Sequence, residues 1–90
     1  MLRQKIPCER PAAEQRYIRS MLAVFGRLPP EKKEEIRALI ARLCRTSEEG
    51  RALFGILVQD KTIPAAATAT GVSIRRLSEL RREFFEQVRL

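Results

Sequence analysis

From Ile63 to Arg82 the chain reads Ile63-Pro64-Ala65-Ala66-Ala67-Thr68-Ala69-Thr70-Gly71-Val72-Ser73-Ile74-Arg75-Arg76-Leu77-Ser78-Glu79-Leu80-Arg81-Arg82. Two helices and a tight turn are written in this stretch. Thr62 can cap a first helix that carries Ile63 and Pro64 in its opening turn. Gly71 ends that helix, because glycine enters the left-handed region at little steric cost. Val72 is directed into the core, and Ser73 restarts the chain as a helix by accepting an orphan backbone N–H. The alanine-rich helix, Ile63 to Thr70, is too short to form alone in water and needs neighbours. The helix after it is expected to run to about Arg89, with Leu77, Leu80, Phe84 and Val88 as its buried stripe. Ala67, four residues before Gly71, keeps the crossing of the two helices close. Ala66 is expected against a preceding helix.

Working outward, Thr46 and Glu49 have the spacing of a capping box, each side chain satisfying the other's backbone donor. They open a helix from Ser47 to about Gln59 that buries Leu53, Ile56 and Leu57. Gly50 and Gly55 interrupt it, and Gly55 suits a close approach of another helix. Before it, Glu31 to Arg45 forms a helix with the stripe Ile36, Leu39, Ile40, Leu43 and Cys44. Its acidic start and basic end both suit the macrodipole. Tyr17, Ile18, Met21, Leu22 and Phe25 mark one face of a first helix, Ala12 to Arg27, stopped by Leu28-Pro29-Pro30. Residues 1–11 lack periodicity and are expected to be a mobile basic arm. The spacing thus predicts an all-α chain of about five helices in a single domain. Residues 12–45 supply two scaffold or interface helices, and residues 46–90 a three-helix unit.

The 90 residues carry 18 basic and 11 acidic groups, a formal net charge of +7. Residues 1–30 are net +4, residues 31–60 net zero and residues 61–90 net +3. The neutral middle reads as scaffold and the two ends as the footprint for a polyanion. There is no histidine, and Cys8 and Cys44 lie far apart. That leaves no Cys/His zinc spacing, no catalytic set and no cofactor-binding loop, so neither an enzyme nor a metal or cofactor is expected. Cys44 is expected as a small buried hydrophobe and Cys8 as a free exposed thiol. A reducing, cytoplasmic location fits both. No apolar run reaches the ~20 residues of a membrane span, and no small-molecule substrate is implied.

The set Ala67, Gly71, Val72, Ser73, Leu77 and Leu80 resembles the helix-turn-helix superfamily of bacterial and phage transcription regulators, over about Ser47 to Leu90. The sigma-factor C-terminal region is the most similar flavour. It too has a Leu-Pro-Pro-type opening, here Leu28-Pro29-Pro30-Glu31, and a Gly-Val-Ser turn before an arginine-rich helix. This chain departs from that pattern in two ways. The helix Glu31 to Arg45 intervenes, and Thr70 stands where a larger apolar residue is common. The resemblance implies double-stranded DNA as partner, with the last helix in the major groove. Ser73, Ile74, Arg75, Ser78, Glu79 and Arg82 would then meet base edges. Arg75 and Arg82 are suited to guanine and Ile74 to a thymine methyl. Arg76, Arg81, Lys61 and the amides at Thr62 suit flanking phosphates. Glu79 either accepts from a cytosine amino group or pairs with Arg75 or Arg82 along the helix.

A second reading stays open, a small helical adaptor that docks on a protein such as polymerase or a phage packaging component. It would use the Arg/Glu face and Phe85. Phe85 lies off the stripe, so the sequence leaves it either under the N-terminal helices or on a partner surface. The same alternative, core or homodimer interface, holds for Tyr17, Ile18, Met21 and Leu22.

Overall fold

The computed structural model describes residues 12–88, and these are all-helical. Five α-helices follow one another: α1 (Ala12–Ala23), α2 (Pro30–Leu43), α3 (Ser47–Val58), α4 (Ile63–Thr70) and α5 (Ile74–Gln87). A single 3₁₀ turn, Phe25–Arg27, separates α1 from α2. The sequence extended the first helix through Arg27. The chain instead tightens after Ala23, with Arg27 N–H donating to the Val24 carbonyl (2.8 Å) and Leu28 N–H to the Phe25 carbonyl (3.1 Å). Three residues per turn put Phe25 and Leu28 on one side, and both are buried. Phe25 meets Phe54 of α3 edge to face at 5.3 Å between centroids.

The other boundaries follow the local signals closely. Pro30 occupies the first turn of α2, and Cys44 ends that helix, two residues earlier than expected at Arg45. Thr46 Oγ1 accepts from Glu49 N–H (3.1 Å). The reciprocal half of the expected box shifts by one residue, since Glu49 Oε1 takes the Arg45 amide (2.9 Å). Thr62 caps α4 through Ala65 N–H (3.2 Å), and Ser73 caps α5 through Arg76 N–H (3.1 Å). Each such cap contributes about 1 kcal/mol. α5 ends at Gln87, with Val88 extended as its cap, so the helix stops short of the expected end at about Arg89. Residues 1–11, with Cys8 and the basic arm, also lie outside them.

Every helix contributes to one core. Leu22, Ile36, Leu53, Leu77, Leu80 and Phe84 are its largest fully buried side chains. Ile18 and Leu22 of α1 and Ile36, Leu39 and Ile40 of α2 join the same cluster as α3 and α5. These faces of the N-terminal helices are therefore core, while Tyr17 remains 53% exposed. Phe85 packs half-buried against the cluster, with its ring edge to face on Phe84 at 5.8 Å. In α3, Ala52, Leu53, Gly55 and Leu57 are buried, and Ile56, expected in the core, is half-buried at its edge. Gly55 does accommodate a close neighbour, but not another helix. A side chain there would come within 3.2 Å of Lys61 Cδ, whose stem lies across it. Cys44 is a half-buried free thiol, with its pKa pushed up to about 11 by burial and then by the Glu49 charge. It is protonated at neutral pH and poorly nucleophilic.

Candidate nucleic-acid interface

Three residues join α4 to α5. Gly71 has φ +81°, in the left-handed region, and its N–H donates to the Ala67 carbonyl (2.8 Å). No atom lies within 4 Å of where its Cβ would be, so the backbone conformation, not crowding, requires glycine. Thr70, the departure from the apolar pattern, is a working part of the turn. Its hydroxyl donates to the Ala66 carbonyl (2.8 Å) and accepts from Val72 N–H (3.4 Å). The sequence marks Thr70 only as a departure from the apolar pattern. The usable signal was a hydroxyl one residue before a turn glycine, where it can pair both with the last helical turn and with the loop. Ala66 is the buried alanine of α4, and Ala67 is half-buried beside it.

α5 presents Ser73, Ile74, Arg75, Ser78 and Arg82 to solvent. The Arg75 side chain is 92% exposed, and Ile74, at 52%, is one of the few large apolar residues exposed among those described. Glu79 sits among them and pairs loosely with Arg75 (4.0 Å) and with Arg76 (3.7 Å). Its expected partner along the helix is thus Arg75, joined by Arg76. Exposed pairs of this kind contribute little and exchange readily. Lys61 and Thr62, at the start of α4, are also exposed. The Thr62 hydroxyl is occupied as a cap acceptor, and the Lys61 amide donates back to the Gly55 carbonyl (3.1 Å).

The two arginines expected as phosphate clamps are engaged within the fold. Arg76 turns toward α3, where Nε donates to Glu49 Oε2 (3.1 Å) and Nη2 to Glu49 Oε1 (3.2 Å). A longer bond from Nη2 reaches the Leu43 carbonyl at the end of α2 (3.4 Å). The side chains are only 23% and 14% exposed. This bidentate pair raises the pKa of Arg76, and its hydrogen bonds lower that of Glu49, helped by the Arg45 amide. One carboxylate therefore joins the start of α3 to α5 and the chain just before α3. Arg81 turns the other way, toward α1. Its guanidinium lies 5.7 Å from the Phe85 ring centroid, and Arg19 of α1 approaches the same ring at 5.6 Å. Burial, and then the Arg19 charge, lower the Arg81 pKa. The sequence placed Arg76 and Arg81 correctly on the two flanks of the stripe, but could not see the partners that tertiary packing brings to each flank.

Among the described residues no group of histidine, cysteine or acidic side chains is arranged to hold a metal ion. No described helix is long and apolar enough to cross a membrane. No protein-family model, curated protein or solved structure matches the chain.

Proposed function

We propose that the chain binds double-stranded DNA by laying α5 in the major groove, as a bacterial or phage transcription regulator of helix-turn-helix type would. The supporting observation is the glycine turn with its serine cap, which holds α5 so that Ile74, Arg75, Ser78 and Arg82 share an exposed surface. That surface offers two guanidiniums for guanine edges, one apolar contact for a thymine methyl and one hydroxyl. The net charge of +7 supplies the salt-dependent attraction to phosphates. Arg75 leaves its loose pair with Glu79 at little cost, and Glu79 is then available to a cytosine amino group. Lys61 serves the flanking phosphates. Arg76 is left out of the interface because it is bonded to Glu49, and Arg81 because it turns toward α1, away from the exposed surface.

Titration of labelled duplex DNA at two salt concentrations tests this reading. Binding should be present at low salt and weaken steeply as salt rises. Absence of binding at low salt, or insensitivity to salt, would refute it. The protein-adaptor reading uses the Arg/Glu face together with an exposed Phe85; Phe85 is instead half-buried against two guanidiniums, which removes the apolar part of that surface.

A further inference from the structure

Between α1, the end of α3 and α5 lies a cleft of about 380 Å³, within the ~300–1,000 Å³ range of small-ligand sites. Leu22, Ile56, Leu57 and Val58 make its floor, and Phe85 forms one wall. Arg19 and Arg81 line it from α1 and α5, each against the Phe85 ring. Among the described residues neither guanidinium has a carboxylate partner within ion-pair distance. Asp60, at the end of α3, lines the same cleft without pairing with either. Its φ of +58° places it in the left-handed region, which aspartate tolerates better than most residues.

Two like charges beside one ring are unfavourable without a counter-charge. Cation–π attraction to the shared ring offsets part of this. Burial and the neighbouring Arg19 both weigh against the charged form of Arg81. An anionic group in the cleft that both arginines line would relieve that repulsion, and an apolar body attached to it would cover the floor. An inorganic anion would leave the floor wet, and a neutral apolar molecule would leave the guanidiniums unanswered.

We propose that this cleft is a binding site for a small organic monocarboxylate with an apolar body, held by Arg19 and Arg81 at its charged end and by Leu22, Ile56 and Leu57 along its length. The site stands independently of DNA binding, since none of these residues belongs to the exposed surface of α5 described above. Asp60 limits the affinity by repelling the carboxylate.

The test is a titration of the full chain, followed by amide and arginine-side-chain NMR. Octanoate is the probe, with octanol and inorganic phosphate as comparisons. Octanoate should saturate, bind at least about 10-fold more tightly than either comparison, and shift signals at Arg19, Leu22, Arg81 and Phe85. The double variant Arg19→Gln, Arg81→Gln should weaken octanoate about 10-fold or more while keeping the helical signal and unfolding cooperativity. Asp60→Asn should tighten it a few-fold. The proposal is overturned if octanoate does not saturate, or if octanol binds as tightly. It is equally overturned if phosphate binds as tightly, or if the shifts gather instead in the α2–α3 groove lined by Arg37, Arg45 and Arg51. DNA affinity unchanged in the double variant separates failure of this site from failure of the DNA reading.

Discussion

Arg76 and Arg81 stand five residues apart on one helix, on opposite flanks of the same buried stripe, and their surroundings are opposite. On the Arg76 flank a carboxylate meets the guanidinium with two charge-assisted bonds, and these outweigh the cost of burying the two charges. On the Arg81 flank a second guanidinium and an aromatic ring take the place of the carboxylate. The first arrangement is complete and holds α3, α5 and the end of α2 together. The second is incomplete in charge and opens on a cleft. A partly buried arginine that is answered inside the chain serves the fold, whereas one left unanswered is available to a ligand.

The largest expected effect separates both flanks from the exposed face between them. Changing Arg75 and Arg82 together to Ala should weaken DNA binding about 100-fold and relax base preference, at about 1–3 kcal/mol for each base contact. Arg81→Gln should change DNA affinity less than about threefold. A quantitative gel-shift series reads both, and equal losses would mean that Arg81 reaches phosphate after all. Next in size, Arg76→Gln should destabilise the chain by about 2 kcal/mol, because Glu49 loses its charged partner in a site with little water. For a domain of this size that lowers Tm by roughly 10 °C. The matching change Arg81→Gln should alter stability by less than about 0.5 kcal/mol. If thermal melts reverse that order, the structural and ligand-facing roles are exchanged.

A smaller loss, about 1–2 kcal/mol, is expected for Gly71→Ala, from left-handed backbone strain alone. Gly71→Asn should recover part of it in the same denaturant titration. The smallest effect is a pH dependence. The carboxyl of Glu49 is held below its usual range, first by Arg76 and then by the Arg45 amide. A depressed carboxyl contributes stability that is fully present above its unfolded pKa of about 4.3 and is lost as pH falls through the lower folded value. Stability should therefore fall with acid below about pH 4.5, and Arg76→Gln should flatten that fall. An unchanged slope in the variant would show that the pair does not control the Glu49 charge.

Much of this was legible in the sequence, for a local reason. α4 was placed without error, because Thr62, Pro64 and Gly71 act on their own backbone within four residues. The stripe Leu77, Leu80, Phe84 and Val88 was legible because helical periodicity is a property of the helix itself, and all four are buried. The 3₁₀ turn after α1 was not. Gly26 and the two prolines announced an end, but the tightened turn sets Phe25 against Phe54, 29 residues away, a contact no local pattern marks. The outer residues of α5 could be drawn from rotation per residue, and Ser73, Ile74, Arg75, Ser78 and Arg82 are exposed as drawn.

By itself, then, the sequence determined the all-α fold, the caps, the turn at Gly71 and the division of α5 into a buried and a polar side. The caps and the turn are set by forces acting within one or two helical turns, and the periodicity marks the faces that the shared core then covers. Tertiary structure alone decided which arginine is answered. Glu49 is 27 residues from Arg76 and Arg19 is 62 from Arg81, so no local pattern joins them. Their pairing follows from how α1 and α3 pack against α5, and the energy of a guanidinium depends on the charge that packing brings within a few ångströms.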